Sequence, residues 1–293
     1  MEKIGIIGLG NMGMGIAKNV IKGGYTAVGY DLREECLKEI VSHGGEAAES
    51  VSQVSQLSDV VFVMVMNGKQ VKEVVTQLSP GLKDRGTIII TATTKPEEVK
   101  EAYKIAQKNN INMVDSPVSG GLQGAHEGTL TLMTAADEKT LQDCKKILES
   151  ISKNMIHVGT NIGDGQTVKA SLQSFIGATF TAIFESLVLG SKAGIDGQIL
   201  YDVFSTSGAS SPLFKNCAKL ILDRKFENTG SHISTMYKDL GITMDMAKKN
   251  GVPMFTTSAA FELFQAGISN YPDGDNWSIV KLLEKMADTK VEW

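Results

Sequence analysis

The sequence predicts an α/β fold with a doubly wound, mostly parallel sheet in its N-terminal half, then a long interdomain helix and an all-α C-terminal half. Two observations predict it. Up to about Gly163, short apolar runs rich in β-branched residues alternate with helix-length segments, which is typical of a parallel sheet covered on both faces. Beyond Gly163 only helical periodicity continues. The 293 residues therefore divide into two expected domains, 1–163 and 164–293.

Six segments of the first half are predicted strands, because they are short and apolar and most are bounded by Gly, Asp or Pro. They are Lys3–Ile7, Thr26–Tyr30, Val60–Val65, Thr87–Ile90, Asn112–Val114 and Leu130–Thr134. The helices predicted between them include Asn11–Gly23, Glu34–Ser42, Gln70–Gln77 and Pro96–Asn109. Crossovers of this length join parallel strands, so a parallel sheet follows.

The interdomain helix is predicted over 166–192, where apolar residues recur at three- and four-residue spacing. At 1.5 Å per residue it would be about 40 Å long. Further helices are predicted at Gly197–Ser205, Pro212–Asp223, Ser234–Asn250, Thr256–Ala266 and Ile279–Ala287. Their apolar stripes need a partner surface, so we expect a homodimer or homotetramer formed through the helical domain.

The composition argues against several classes of protein. A net charge of −4 and scattered Lys and Arg residues offer no basic surface to nucleic acid or to an anionic membrane. Cys36, Cys144 and Cys217 are far apart, which fits reduced thiols in a cytoplasmic protein better than disulfides. We expect no metal, because no His and carboxylate residues share a ligand spacing. We also expect no signal peptide and no membrane span.

A glycine-rich segment, Gly8-Leu9-Gly10-Asn11-Met12-Gly13, follows the first predicted strand and opens the first predicted helix. In that context a GxGxxG motif predicts a Rossmann dinucleotide-binding domain. Gly8 permits a tight turn, Gly10 lets the backbone approach a pyrophosphate, and Gly13 allows close packing of helix and strand. The amino end of the helix would then offer its N–H groups to the phosphates.

Asp31 ends the second predicted strand, 18 residues after Gly13. An acidic side chain there can accept hydrogen bonds from both adenine-ribose hydroxyls and would repel a 2′-phosphate. Arg33, two residues further on, is a solvated loop residue or one that reaches such a phosphate. The sequence therefore favours NAD as the cofactor and leaves NADP open.

Lys169 lies in the first turns of the interdomain helix. The positive end of a helix disfavours an ammonium group, and burial against a nicotinamide would lower the pKa of the lysine further from its ordinary value of about 10.4. Such a lysine can exchange a proton with a hydroxyl or carbonyl group during hydride transfer. The alternative interpretation is an ordinary solvated surface lysine.

The segment Asp115–Gly121 follows the fifth predicted strand. In an open parallel sheet, the loops at the carboxyl ends of the strands line the ligand crevice. The hydroxyl of Ser119 and the backbone N–H groups of Gly120 and Gly121 suit a substrate carboxylate. This loop is therefore a candidate substrate-binding segment.

Four motifs, taken in order, resemble those of the β-hydroxyacid dehydrogenases, and the resemblance covers essentially the whole chain. They are Gly8–Gly13, Asp115–Gly121, Gly165–Lys169 and Lys238–Gly241. The resemblance implies an NAD(P)-dependent oxidoreductase that interconverts a small 3-hydroxy acid and its semialdehyde or keto acid. It makes Lys169 the general acid and base of that reaction.

The resemblance also implies a set of binding residues. Those expected to hold the substrate are Ser119, Gly120, Gly121 and Gln173. Those expected to line the cofactor, beyond the glycine-rich segment and Asp31, are Met66, Asn67, Thr93 and Lys238, of which Lys238 would close over it.

This chain departs from the family pattern at three positions. Leu172 stands where the family usually has Asn or His, and Met66 stands where it usually has Pro. The segment 90–93 keeps only the threonine of the common Asp-x-Ser-Thr. Loss of a polar partner points to a different hydroxyl pattern, or a less polar substrate, than the best-known members use.

Two alternatives remain open. An imine reductase on the same fold would act on a C=N bond, although related imine reductases generally lack the lysine found at Lys169. The second alternative is a non-catalytic scaffold that binds a dinucleotide, although relatives of that kind have lost the lysine that this chain has at Lys169.

Overall fold

The structure is a computed structural model that describes residues 2–84 and 86–293. The chain separates into two compact units, Met1–Lys169 and Ala170–Trp293. The boundary between them falls inside one long helix, Asp164–Lys192. Among the described residues, the first unit has two apolar cores and the second unit has one.

Within the described residues, the first unit contains one sheet of nine strands. They are β1 (Lys3–Ile7), β2 (Thr26–Tyr30), β3 (Glu46–Ala47), β4 (Val60–Val63), β5 (Thr87–Ile90), β6 (Asn112–Asp115), β7 (Val118–Ser119), β8 (Leu130–Ala135) and β9 (Ser152–Gly159). Their order is β3-β2-β1-β4-β5-β6-β8-β7, with β9 paired to β8. The first six are parallel, and β8 runs antiparallel to β6 and β7. The predicted mostly parallel sheet is confirmed.

The sequence patterns missed three strands and overran one. The strands β3 and β7 have two residues each, too few to show a period. The strand β9 carries exposed polar residues because it lies at an edge of the sheet, so it lacks a continuous apolar run. The strand β4 ends at Val63, two residues before the predicted end.

Seven helices connect the strands in the described part of the first unit. They are α1 (Asn11–Lys22), α2 (Glu34–Ser42), α3 (Val51–Leu57), α4 (Gly68–Leu78), α5 (Pro96–Lys108), α6 (Gly121–Glu127) and α7 (Glu138–Ser150). Local sequence explains where several begin: Ser50 and Asp137 cap α3 and α7 through their side chains, and proline opens α5.

The sheet is buried on both faces. On β1, Ile4 and Ile6 belong to one apolar core, whereas Ile7 belongs to the other. Side chains alternate between the faces of a strand, so a strand buried on both sides reads as a continuous apolar run. This is why the central strands were predictable from sequence.

The long helix α8 (Asp164–Lys192) begins two residues before its predicted start and continues into the second unit. The helices that follow are α9 (Gly197–Thr206), α10 (Pro212–Leu222), α11 (Ile233–Asn250), α12 (Phe255–Asn270) and α13 (Val280–Ala287), with a short 3₁₀ turn at Asn276–Ile279. Phe184, Leu240, Phe264 and Trp277 are buried in the core of this unit. The predicted helical second half is confirmed.

By length and composition, α8 meets a criterion for a membrane-spanning helix, with a mean hydropathy of 1.5 over an 18-residue window. No membrane span was expected from the sequence. In the structure, 44% of that window is buried inside the protein. A core helix of a folded helical domain meets the same criterion, because a helix surrounded by apolar neighbours is apolar on most of its faces.

Candidate active site

The glycine-rich segment forms a tight turn between β1 and α1. Gly8 has a φ of 88°, and a Cβ atom on Gly13 would lie 1.8 Å from the carbonyl oxygen of Gly8. No side chain among the described residues caps α1 at Gly10. The turn is therefore lined by backbone, and the amino end of α1 presents its first N–H groups beside it. These residues fit a dinucleotide pyrophosphate.

Asp31 follows β2 and lies against this turn. Its Oδ2 accepts a hydrogen bond from the backbone N of Leu9 at 2.8 Å. Its Oδ1 accepts bonds from the backbone N and the Nε of Arg33, at 2.9 and 3.1 Å. Burial alone would raise the pKa of Asp31, but these hydrogen bonds hold it below its usual value. The ion pair with Arg33 was not anticipated from the sequence.

The predicted cofactor-lining residues Met66, Asn67 and Thr93 lie in the loops after β4 and β5. Asn67 also has a local role, because its side chain accepts a hydrogen bond from the backbone N of Gln70 and so caps α4. Because β1, β4 and β5 are parallel neighbours, these loops emerge at the same edge of the sheet as the glycine-rich turn.

The predicted carboxylate-binding residues lie where β7 turns into α6. Ser119 is the last residue of β7, and Gly120 and Gly121 have φ values of 127° and 62°. L side chains rarely adopt such φ values, so this backbone path requires glycine at both positions. The loop presents one hydroxyl and glycine N–H groups at the amino end of α6.

The start of α8 is tied to the end of β6 by a buried carboxylate. Oδ2 of Asp115 accepts hydrogen bonds from the backbone N of Gly163 at 2.9 Å and of Gln166 at 3.2 Å. Its Oδ1 accepts one from Nε2 of Gln166 at 2.8 Å. Asp115 and Gln166 have no exposed surface, and Lys169 follows on the same helix with 6% of its surface exposed.

Burial raises the pKa of Asp115 to about 6, although the hydrogen bonds from Gln166 and Gly163 act in the opposite direction. A carboxylate at this place also places negative charge at the amino end of α8. This charge was not part of the expectation from the sequence, in which only the positive end of the helix acted on Lys169.

In the second unit, Gln173 and Asp239 form a buried pair. Nε2 of Gln173 donates a hydrogen bond to Oδ2 of Asp239 at 2.6 Å. The Nζ of Lys238 lies 3.0 Å from the other carboxylate oxygen of Asp239. Since a carboxylate only accepts hydrogen bonds, the Gln173 amide must turn its nitrogen toward Asp239 and its oxygen away.

The predicted site residues thus fall into two groups. Those of the first unit lie after β1, β2, β4 and β5, at the carboxyl edge of the parallel strands, at the junction of β7 and α6, or in the first turns of α8. Gln173 and Lys238 lie in the second unit. From the sequence, Gln166 and Asp239 received no individual role, and Asp115 entered only as the first residue of the candidate substrate-binding segment. The sequence signal that could have identified them is that each lies within one of the family motifs, near a predicted site residue.

The described residues contain no group of three His, Cys, Asp or Glu side chains that could hold a metal ion.

Two family profiles match most of the chain. One, described as the NAD binding domain of 6-phosphogluconate dehydrogenase, matches residues 3–159. The other, described as NAD-binding of NADP-dependent 3-hydroxyisobutyrate dehydrogenase, matches residues 163–283. Both profiles concern nicotinamide dinucleotide binding.

Known proteins resemble the chain over nearly its full length. A 2-(hydroxymethyl)glutarate dehydrogenase from Eubacterium barkeri is 32% identical, over 99% of this chain and 97% of its own. A 2-hydroxy-3-oxopropionate reductase from Escherichia coli is 33% identical, over 99% of both chains. A solved 3-hydroxyisobutyrate dehydrogenase from Salmonella typhimurium is 28% identical, with a TM-score of 0.88 over 96% of this chain and 100% of its own.

The raised pKa of Asp115 predicts a specific dependence of stability on pH. Because the folded state binds the Asp115 proton more tightly than the unfolded state, this group's contribution is complete below pH 3.8 and is lost as the pH rises through about 6. The loss amounts to about 3 kcal/mol at about 1.36 kcal/mol per pKa unit. Asp115→Asn should remove this component from the free energy of unfolding, measured by urea denaturation between about pH 4 and 8.

Asp137→Asn is the matched control. Hydrogen bonds from Thr140 lower the pKa of Asp137, so its contribution is present above its unfolded pKa and is lost only as the pH falls through its folded pKa. Asp137→Asn should therefore leave the pH dependence of the free energy of unfolding unchanged above about pH 5. The same pH dependence in wild type and Asp115→Asn would contradict the prediction.

Proposed function

Because this chain belongs to the β-hydroxyacid dehydrogenase family, we propose that it interconverts a small 3-hydroxy acid and its semialdehyde or keto acid, with Lys169 as general acid and base. The chain is an NAD(P)-dependent hydroxyacid dehydrogenase, and its cofactor is a nicotinamide dinucleotide. The observation that carries the proposal is the burial of Lys169, one turn after Gln166 on α8. Gln166 is itself held by a hydrogen bond to Asp115 at the end of β6.

Proton transfer is the proposed work of Lys169. Its amine would take the hydroxyl proton when the acid is oxidised and return a proton when the carbonyl is reduced. When bound, the nicotinamide ring accepts or supplies the hydride. A buried amine suits this exchange, because fewer waters compete for the same proton.

Substrate binding is proposed for Ser119, Gly120, Gly121 and Gln173. The glycine φ values support a loop that turns backbone N–H groups to a carboxylate. The contact between Gln173 and Asp239 supports a further role, because it leaves the amide oxygen of Gln173 to accept a hydrogen bond from a substrate hydroxyl. A small hydroxy acid has both the carboxylate and the hydroxyl that these residues would bind.

Cofactor binding is proposed for the segment Gly8–Gly13, with the residues Leu9, Asn11 and Met12 inside it, and for Asp31. Met66, Asn67 and Thr93 would line the same ligand, and Lys238 would close over it. The proposed domains are 1–163 for the dinucleotide and 164–293 for substrate and self-association. A cytoplasmic location is part of the same proposal.

Replacing Lys169 with alanine should lower kcat by about 100- to 10,000-fold, the usual range for the loss of a general acid or base. Dinucleotide binding, measured by fluorescence titration, should stay within about twofold of wild type, because the proposed binding residues remain. The assay is nicotinamide absorbance with a panel of small 3-hydroxy acids, including 3-hydroxyisobutyrate, glycerate, serine and threonate.

Lys192→Ala serves as the control, since Lys192 lies at the other end of α8 and is exposed. It should retain wild-type turnover. Full activity of Lys169→Ala would contradict the proposal. Reduction of a cyclic imine without activity on any acid would favour the imine reductase, and tight dinucleotide binding without turnover would favour the scaffold.

The Asp31–Arg33 ion pair predicts a change in cofactor choice. In Arg33→Ala, both oxygens of Asp31 become more available to a ribose diol, so kcat/KM with NAD should hold or rise. The kcat/KM with NADP should fall about tenfold, because a charged partner for the 2′-phosphate is lost. Arg33→Lys retains the charge and is the control. Unchanged kinetics with NADP in Arg33→Ala would contradict Arg33 as a phosphate ligand.

Self-association is proposed through α8. Phe175 and Leu189 lie on the same side of this helix, fourteen residues apart, and are 68% and 73% exposed. Phe175→Asp combined with Leu189→Asp should lower the molar mass measured by light scattering to that of one chain. Val41→Asp, at an exposed apolar residue of α2, should leave it unchanged. An oligomer that survives the double substitution would contradict this surface.

A further inference from the structure

We propose that Gln166 and Asp115 form a buried clamp that fixes three segments relative to one another: residues 92–94, residues 115–121 and the first turns of α8. The inference rests on the proposed function, because these segments carry Thr93, the carboxylate-binding loop and Lys169. Gln166 and Asp115 are positioning residues in this proposal, since neither has exposed surface with which to touch a ligand.

The amide of Gln166 is held in one orientation by its partners. Its Oε1 accepts a hydrogen bond from the backbone N of Thr94 at 2.9 Å. Its Nε2 donates to the carbonyl oxygen of Ala92 at 3.1 Å and to Oδ1 of Asp115 at 2.8 Å. A peptide N–H can only donate, whereas a carbonyl or carboxylate can only accept. The side chain therefore cannot flip without setting donors against donors.

This arrangement holds Thr93 from both sides. Thr93 lies between Ala92 and Thr94, and one side chain from α8 binds the backbone of both neighbours. Lys169 follows Gln166 by three residues on the same helix. One amide thereby links the proposed cofactor-lining threonine to the turn that carries the proposed acid and base.

Asp115 joins the third segment to the other two. Its Oδ2 accepts from the backbone N of Gly163 and of Gln166, so it caps α8 from the end of β6. Packing tightens this junction, because a Cβ atom on Gly165 would lie 2.6 Å from the carbonyl oxygen of Met133. The substrate loop 116–121 continues directly from Asp115.

The clamp contributes orientation more than net stability. An ionised carboxylate in a fully buried position carries a desolvation cost, and apolar residues of similar volume would avoid it. Hydrogen bonds between defined donors and acceptors instead select one relative placement of the three segments. Misplacement of a reacting group by about 1 Å can cost about a hundredfold in rate.

The first test compares Gln166→Leu with Asn19→Leu. Asn19 is a matched buried amide that donates three hydrogen bonds to carbonyl oxygens of α1 and α6, outside the clamp. Both variants should unfold at lower temperature. Only Gln166→Leu should lose kcat, by about a hundredfold, at a temperature where both are folded. A kcat for Gln166→Leu within about twofold of that for Asn19→Leu would overturn the clamp.

The second measurement is hydrogen exchange, which does not depend on activity. In Gln166→Leu, amide exchange should accelerate together in residues 92–94, 115–121 and 163–170, with α11 unchanged. Acceleration confined to α8 would overturn the proposal. If Lys169→Ala remains active while all three segments loosen in Gln166→Leu, the proposed function fails and the clamp stands.

A reversal of polarity tests the mechanism of the clamp. Gln166→Glu sets two carboxylates against each other, so kcat should fall about a hundredfold. Adding Asp115→Asn restores a donor that faces the new carboxylate and leaves an acceptor for the amino end of α8. The double variant should therefore recover about tenfold in kcat over Gln166→Glu. A double variant no better than Gln166→Glu alone would overturn the assignment of polarity.

Discussion

The parallel register of β2, β1, β4, β5 and β6 is the constraint on which the site of the first unit depends. Five neighbouring strands end at one edge of the sheet, so the loops that follow them emerge together. Such a sheet is stable only when both faces are covered, which explains the two apolar cores. Burial of the strands thus leaves the carboxyl-edge loops to carry the chemistry.

Hydrogen bonds of defined direction recur at three carboxylates of this protein. Asp115, Asp31 and Asp239 are all carboxylates that accept hydrogen bonds from named donors, and each thereby orients a neighbouring group. For Asp115 the group is the first turn of α8, and for Asp239 it is the amide of Gln173.

Local patterns predicted much of the fold, and the reasons for the misses are physical. The central strands were found as continuous apolar runs and α8 from its three- and four-residue apolar spacing, because burial selects apolar residues at those positions. The edge strand β9 was missed because its exposed face is polar, and β3 and β7 were too short to show any period. The candidate residues were found through motifs, whereas the partners of Asp31 and Gln173 were not. Asp239 lies 66 residues from Gln173 and Leu9 lies 22 residues from Asp31, so packing between distant segments sets these contacts, whereas Arg33 lies only two residues from Asp31 and is placed by the local path of the loop.

The sequence by itself determined the α/β class, the mostly parallel sheet, the helical second half and the membership of the β-hydroxyacid dehydrogenase family. Each of these is encoded in local periodicity or in motifs of a few residues. Only the tertiary structure decided that Gln166 binds Ala92 and Thr94, more than seventy positions earlier, and that Asp115 caps α8. These contacts leave no period in the sequence, because a hydrogen bond between remote residues depends on the folded path of both segments.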